Sequence, residues 1–298
     1  MSAFRSACTT PIEGDITSDE LWDWLIRPIE KDIAGAKHLV IVPYVPLLAM
    51  PFHAIKKGER PYLVEKYSIS YAPSVGALLA MRAQADRRKQ APPLANQVPL
   101  VAIGRPKSAP GSPDLPASES EVKALGELFA APNQVILGDN ATRAEVLKRA
   151  ESARVLHFAT HGTVNDSRPL FSALAVTATA RDDGRLTAHD VLDLNLSAEL
   201  VVLSACSSGR GKDYVGEGTL GLAWAFFVAG APSVVVSQWQ VADVATGKMM
   251  VDFHRRLIGA NPPSKAEALR KAQLQLKKDP KTRHPFYWAP FVLTGDWR

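Results

Sequence analysis

The sequence predicts an α/β sandwich with a mostly parallel central sheet, and two observations support this prediction. Short apolar runs recur along the 298 residues and scarcely alternate with polar residues, as is typical of strands buried on both faces. The runs are residues 39–42, 100–103, 155–156, 200–203 and 233–236. Amphipathic segments separate them, and strands that alternate with helices form parallel sheets through right-handed crossovers.

The helix starts are indicated by a hydroxyl residue followed three positions later by a glutamate. Such a pair satisfies backbone N–H groups that the first turn leaves free. The pairs are Thr17 with Glu20, Ser118 with Glu121, Thr142 with Glu145, and Ser264 with Glu267. Pro28 lies inside the first of these segments and is expected to kink or split the helix.

Composition restricts the classes of function. The chain is 46% hydrophobic and 22% charged with a net charge of +5, which is the balance of an ordinary globular protein. Basic residues form no stripe interleaved with aromatic residues, so nucleic-acid binding is not supported. Two cysteines are too few for a disulfide framework or a cysteine-rich zinc site. Gly230 and Pro232 interrupt the most apolar segment, so no membrane span is predicted and a cytoplasmic protein is expected.

Three segments lack helix or strand signals. Residues 1–16 are expected to form a loose leader, in which Cys8 is interpreted as a solvated, non-functional thiol. Residues 82–97 are polar and then proline-containing, and are interpreted as a connector between two halves of the chain. Residues 104–117 are rich in glycine, proline and serine and predict a loop directly after a strand.

Two strand ends carry the candidate chemistry. Residues 155–162 (VLHFATHG) and 200–209 (LVVLSACSSG) are apolar strands that run into small-residue turns with one reactive side chain each, His161 and Cys206. Ligands bind beyond the carboxyl ends of parallel strands. A thiol with a pKa of about 8.5 needs a nearby base at neutral pH, and histidine serves as one. The N–H groups of Gly162 and Cys206 are candidate donors to an oxyanion.

Each of these residues also has a structural interpretation. Cys206 could be a small core residue and His161 a loop histidine, but the serines and glycines after Cys206 favour exposure at a strand end. His157 lies inside its strand and is interpreted as structural. The remaining histidines are interpreted as surface or packing residues without zinc-type spacing: His38, His53, His189, His254 and His284.

The order of these motifs resembles a known family. The FATHG block at 158–162, the LSACSSG block at 203–209 and the GEG block at 216–218 resemble the CHAT domain of the caspase–separase group of cysteine peptidases. Further matching blocks lie at residues 42–54, 62–74, 221–226, 237–243 and 286–297. The resemblance extends over residues 17–298.

The resemblance implies a caspase-like α/β/α sandwich in which a degenerate half, residues 17–90, supports an active half, residues 98–298. It implies a cysteine endopeptidase that uses His161 and Cys206 and needs no third catalytic carboxylate. No metal ligand and no cofactor is nominated from the sequence, and the resemblance leaves calcium dependence open. Protein substrates and a regulatory partner, of the tetratricopeptide (TPR) type or another, are expected, in bacterial defence or cell-death signalling. The glycine-rich segment 207–218 would permit gating.

Two alternatives stay open from the sequence. The chain could be a non-catalytic signalling or scaffold module on the same fold. It could also be a non-proteolytic hydrolase, although the G-x-S-x-G elbow of α/β-hydrolases and the phosphate-binding P-loop pattern are both missing.

Three residues are candidates for substrate binding. Asp243 is either a helix N-cap or the acidic base of a pocket for a basic side chain, as the family resemblance suggests. Trp239 either packs beside that pocket or belongs to the core. Glu217 is a weaker candidate for substrate contact, together with Asp166.

Overall fold

The computed structural model describes residues 2–10, 18–44, 47–92, 94–107, 114–165, 167–204, 206–207, 215–239 and 242–298, with the backbone alone described for 206–207 and 215–220. The strands are His38–Ile41 (β1), Ser68–Tyr71 (β2), Val98–Pro106 (β3), Gln134–Gly138 (β4), Ala153–Ala159 (β5), His161–Thr163 (β6), Ala173–Ala175 (β7), Arg185–Thr187 (β8), Leu200–Leu203 (β9), Cys206–Ser207 (β10), Ser233–Ser237 (β11) and Phe291–Gly295 (β12).

The α-helices are Ser2–Thr9 (α1), Asp19–Leu21 (α2), Glu30–Ile33 (α3), Leu63–Lys66 (α4), Val75–Gln90 (α5), Pro116–Leu128 (α6), Arg143–Ala150 (α7), Ala188–Leu192 (α8), Val215–Val228 (α9), Asp243–Leu257 (α10), Lys265–Lys278 (α11) and Pro285–Trp288 (α12). Single turns of π- or 3-10-helix are Trp22–Ile26, Arg27–Ile29, Phe52–Ala54 and Pro169–Phe171.

A large sheet forms the centre of the molecule, with the strand order β1-β2-β12-β11-β9-β5-β3-β4. All neighbouring strands run parallel except β11 and β12. The predicted mostly parallel sheet is therefore confirmed. A second sheet, β10-β6-β7-β8, lies beyond the ends of β5 and β9.

Helices cover both faces of the large sheet. Successive side chains of β5 show this, because they alternate between the two faces. His157 contacts Glu121 of α6, whereas the ring of Phe158 lies 5.8 Å from that of Phe226 on α9. Strands covered on both faces need apolar residues throughout, which explains why the sequence runs that predicted them do not alternate.

Two of the predicted helix starts form as expected. The Thr142 hydroxyl accepts the N–H of Glu145 at 3.3 Å, and the Ser264 hydroxyl accepts that of Glu267 at 3.2 Å. Thr17 lies outside the described residues, and Ser18 occupies the N-cap position of α2. Pro28 lies in a 3-10 turn between π- and α-helical turns, so the helix is split as predicted.

The predicted start at Ser118 is wrong. Helix α6 begins two residues earlier, at Pro116. The Ser118 hydroxyl donates to the Leu115 carbonyl and accepts the Arg105 N–H, so it closes a turn instead of capping a helix. The Glu121 side chain is buried in the core, where it contacts His157. Because these two residues are far apart in the chain, no local sequence pattern indicates the contact.

Residues 2–9 are not a loose leader. They form α1, which packs against α12, because Phe4 and Cys8 are one helical turn apart and present a common apolar stripe. Cys8 is completely buried, and burial raises the pKa of its thiol to about 12. The interpretation of Cys8 as solvated is therefore wrong.

The connector is shorter than predicted. Helix α5 continues through residue 90, since Leu78, Met81 and Ala85 form a buried stripe along it. Near its end, the Arg88 guanidinium donates to backbone carbonyls that precede β9. Residues 17–90 contribute β1 and β2, which join the sheet edge through β12. The division into a supporting and an active half stays a prediction.

Candidate functional site

The two predicted reactive residues lie side by side on adjacent strands. In the large sheet Phe158 of β5 pairs with Leu203 of β9. Three residues further along each strand, His161 of β6 pairs with Cys206 of β10 in the same parallel sense. The two chains therefore leave the large sheet together and keep one register as they enter the second sheet. Neighbouring strands lie about 5 Å apart, so His161 and Cys206 are backbone neighbours.

The second sheet holds the histidine strand on both sides. Gly162 pairs with Ser207 of β10 and with Leu174 of β7. At the crossover between β5 and β6, the Thr160 hydroxyl donates to the Ala175 carbonyl at 2.7 Å. The backbone around His161 is thereby held by strands on either side, and His161 itself is only 8% exposed.

The end of β3 borders the site with a cluster of charges. The Arg105 guanidinium donates from Nε to Asp114 Oδ1 at 3.0 Å, from Nη2 to Asp114 Oδ2 at 2.8 Å, and to Glu119 Oε2 at 2.6 Å. Arg105 lowers the pKa of Asp114, and His161 contributes to the same shift. Asp114 is thus close enough to the candidate base for their charges to interact. Its segment was predicted only as a loop after a strand, and nothing in the sequence indicated that Arg105 and Asp114 form an ion pair there.

Trp239 and Asp243 follow β11, the strand on the other side of β9. Trp239 is 3% exposed, and its Nε1 donates to the Phe286 carbonyl at 3.2 Å. Asp243 is the first residue of α10 rather than its N-cap, so that structural alternative is wrong. Its Oδ2 instead accepts the N–H of Ala117 at 2.9 Å. Asp243 therefore caps α6, whose own N-cap residue makes no side-chain hydrogen bond.

A buried polar network lies under the two strand ends. Glu121 Oε1 is 2.8 Å from His157 Nε2, and His157 Nδ1 is 3.1 Å from His254 Nε2. The three side chains come from α6, β5 and α10, and none is more than 3% exposed. The sequence predicts Glu121 in a capping pair and His254 as a surface or packing residue. No local signal identifies the network, because its members are far apart in the chain.

Burial keeps this network uncharged at neutral pH. It raises the pKa of the Glu121 carboxyl to about 8, an effect that the nearby Ser204 hydroxyl partly offsets and the charge of Asp243 reinforces. Burial also lowers the pKa of His157 to about 3 and lowers that of His254. Moving a charged group away from water is unfavourable, so the protonated acid and the neutral imidazoles prevail.

Several predicted features lie outside what the structure describes. These are Asp166, the side chains of Cys206 and Glu217, and residues 208–214 of the glycine-rich segment. Among the described residues, no group of three or more histidine, cysteine, aspartate or glutamate side chains is arranged to hold a metal ion. No helix within the described ranges is long and apolar enough to cross a bilayer.

The sequence matches a family and named relatives. A family model described as "CHAT domain" matches residues 15–296. Tetratricopeptide repeat protein 28 of Homo sapiens is 28% identical over 324 aligned residues, covering 92% of this chain, and its counterpart in Mus musculus matches equally. The chain spans 13% of the length of these relatives.

Solved structures share the fold. Separase in the Saccharomyces cerevisiae separase–securin complex superposes with a TM-score of 0.59 at 17% identity, over 94% of this chain and 18% of that one. The Arg-specific cysteine proteinase gingipain R superposes with a TM-score of 0.59 at 9% identity, over 99% of this chain and 73% of that one. In a complex of pro- and mature domains from Porphyromonas gingivalis the score is again 0.59. The caspase-like sandwich is therefore confirmed.

Proposed function

The chain belongs to the CHAT domain family, and from that premise we propose that it is a cysteine endopeptidase that uses Cys206 and His161. The observation that supports this proposal best is the register of β6 and β10, which makes these two residues direct partners. They stand at the carboxyl ends of neighbouring parallel strands, where α/β proteins bind their ligands.

The reaction would proceed through an acyl-enzyme. His161 accepts the proton of the Cys206 thiol, and the sulfur attacks the carbonyl carbon of the scissile peptide bond. The N–H groups of Gly162 and Cys206 stabilise the oxyanion that forms. When this intermediate collapses, the C–N bond breaks and His161 returns the proton to the leaving amine. Water, deprotonated by His161, then hydrolyses the thioester and releases the thiol.

The two cysteines of the chain provide a matched test. Purified wild-type protein is treated with peptidyl electrophiles that carry a reporter, and compared with Cys206→Ala, His161→Ala and Cys8→Ala. We expect labelling to vanish in Cys206→Ala and to fall about a hundredfold in His161→Ala, the size of a general-base contribution. Cys8→Ala should label like wild type, because the Cys8 thiol is buried with a raised pKa.

The result separates this proposal from the scaffold alternative. Labelling that persists in Cys206→Ala would show that Cys206 is not the nucleophile. A wild-type protein that labels neither alone nor with candidate partner proteins would favour a non-catalytic module. The named relatives are described only as tetratricopeptide repeat proteins, which leaves that second function in view.

For specificity, the proposal is a basic residue before the scissile bond, recognised by Asp243 with Trp239 and Glu217 beside the pocket. Asp243 lies beyond the end of β11, near the catalytic strands. One solved neighbour is named as Arg-specific. Because Asp243 also caps α6, the test uses Asp243→Asn, which retains an acceptor for the Ala117 N–H. The preference for Arg or Lys in a peptide library should fall; an unchanged preference would refute the assignment.

We further propose a cytoplasmic enzyme that a protein partner regulates. Two cysteines without a disulfide framework fit a reducing compartment. The named relatives carry tetratricopeptide repeats by name, and one solved neighbour was crystallised with securin. Control of activity by a bound partner protein is common among switching proteins.

A further inference from the structure

The buried network of Glu121, His157 and His254 has more oxygen and nitrogen atoms that can bind a proton than it has protons. One proton lies between Glu121 Oε1 and His157 Nε2, and one between His157 Nδ1 and His254 Nε2. His254 Nδ1 is buried and has no hydrogen-bond partner among the described residues. The positions of these protons decide the direction of both hydrogen bonds.

Two arrangements in which both imidazole rings are uncharged are consistent with the distances. In the neutral one, the Glu121 acid donates to His157 Nε2, His157 Nδ1–H donates to His254 Nε2, and His254 carries a proton on Nδ1. In the anionic one, the Glu121 carboxylate accepts from His157 Nε2–H, and His157 Nδ1 accepts from His254 Nε2–H. The second arrangement holds one proton fewer, so ionisation of Glu121 reverses both hydrogen bonds and leaves a buried negative charge.

The network is attached to both catalytic strands. His157 lies four residues before His161 on a continuous stretch of chain, and its register partner in β9 is Val202. Ser204, two residues before Cys206, places its hydroxyl near the Glu121 carboxyl. A change in the position of Glu121 therefore bears on the ends of β5 and β9 together.

Within the described part of the chain, few other charged groups face Glu121. From β5 it faces His157, from α10 it faces Asp243, and from the end of β9 it faces the Ser204 hydroxyl. His254 joins through His157. The strands β3 and β4 present apolar side chains to α6, among them Leu100, Ala102 and Val135. Asp243 makes an additional negative charge on Glu121 still less favourable.

We propose that Glu121, His157 and His254 are positioning residues, and that their neutral arrangement holds His161 and Cys206 in the register needed for catalysis. This inference rests on the proposed function. Ionisation of Glu121 would loosen α6 and α10 from the strand ends, because a buried carboxylate without a cationic partner is unfavourable. The enzyme would then lose activity in mildly alkaline solution although the thiolate fraction rises there.

The test compares wild type with Glu121→Gln in the Cys8→Ala background. A glutamine amide can donate to His157 Nε2 as the protonated acid does, but it cannot ionise. The rate of Cys206 alkylation by iodoacetamide is followed from about pH 5.5 to about pH 9.5. Wild type should lose reactivity above about pH 8, whereas Glu121→Gln should not. One pH unit above the midpoint the two rates should differ about tenfold.

The matched control is Glu127→Gln, which changes an exposed glutamate on the same helix. It should show the wild-type alkaline decline. A merely structural role for Glu121 would lower stability at every pH and leave the shape of the profile unchanged. An alkaline decline that persists in Glu121→Gln would overturn the proposal.

Stability against pH provides a readout that needs no active thiol. The folded-state pKa of Glu121 is raised above its unfolded value, so unfolding releases a proton between these two values. Its contribution to stability is therefore complete at low pH and is lost as the pH rises through about 8. As the pH rises from the unfolded-state pKa of Glu121 to the folded-state pKa, wild type should lose stability more steeply than Glu121→Gln. Equal slopes would show that Glu121 does not hold the buried proton.

Failure of the proposed function would be distinguishable. If Cys206 reacts at no pH, the endopeptidase proposal and the positioning role both fall, while the stability slopes still locate the proton. If Glu121→Gln does not fold, infrared difference spectra of the wild type replace it. The infrared band of a protonated buried carboxyl should disappear over the same pH range in which the rate of Cys206 alkylation falls. A band already absent at neutral pH would overturn the inference.

Discussion

Two buried histidines in this molecule are alike in burial and differ in what they face. His157, under the candidate site, and His53, beside the end of β2 and the start of β12, are 0% and 3% exposed. Burial lowers the pKa of His157 to about 3 and that of His53 to about 4. His157 Nε2 faces the Glu121 carboxyl, whereas His53 Nε2 faces the Ala289 carbonyl at 2.7 Å.

The difference lies in the partner and not in the histidine. A backbone carbonyl only accepts, so His53 carries its proton on Nε2 at every pH at which the ring is neutral. A carboxyl can donate or accept, so the tautomer of His157 depends on whether Glu121 is ionised. Burial of a polar group therefore creates sensitivity to pH above neutrality only where a second titratable group completes the hydrogen bond.

The largest effect is expected from Glu121→Ala. This variant leaves His157 Nε2 buried without its partner and opens a small cavity beside α6. We expect a loss of about 3 kcal/mol in the free energy of unfolding at neutral pH, measured by urea denaturation.

Glu121→Gln is the matched control for this change, since it keeps the hydrogen bond and the volume. It should lose much less stability than the alanine variant at neutral pH. If both variants were as stable as wild type, the contact between Glu121 and His157 would contribute nothing to the free energy of unfolding. That result would contradict the difference between His157 and His53.

An intermediate effect is expected from His53→Leu. The Ala289 carbonyl is then buried without its donor, which should cost about 2 kcal/mol on urea denaturation. His53→Gln, which can still donate, should recover part of the loss. Neither variant should change the shape of the alkylation profile of Cys206. A changed alkaline limb of the profile would show that His53 is coupled to the candidate site, which would contradict this expectation.

The smallest effect is expected from Tyr71→Phe, beside His53. The Tyr71 hydroxyl accepts the Phe52 N–H at 3.0 Å and donates to the Met50 carbonyl at 3.1 Å. Removal of this hydroxyl should lower the free energy of unfolding by about 1 kcal/mol at every pH at which His53 is neutral. Tyr67→Phe is the control, because the Tyr67 hydroxyl hydrogen-bonds none of the described residues. A larger loss from Tyr67→Phe would contradict this assignment.

Much of the fold was predictable from apolar runs. The runs at 39–42, 100–103, 155–156, 200–203 and 233–236 each fall on a strand, with small differences at their ends. The short strands β6, β7, β8 and β10 were not predicted as such. Strands of two or three residues carry too little pattern, and their pairing partners decide whether they form.

The same local motif had two outcomes. Ser264 with Glu267 and Ser118 with Glu121 share one spacing, yet only the first pair caps a helix. Glu267 faces solvent and the neighbouring Arg270, whereas Glu121 faces His157 across the core. Cys8 is a second residue whose environment the local sequence does not indicate, because α1 packs against α12, a helix from the other end of the chain.

The sequence by itself determined the parallel sheet and the two strand ends that carry His161 and Cys206, because burial on both faces and a small-residue turn are local patterns. Only the tertiary structure decided that these residues share one register, that Asp243 caps α6, and that Glu121 is buried beside His157. The protonation state and the role of a carboxyl depend on the groups packed against it, and chain folding alone brings those groups together.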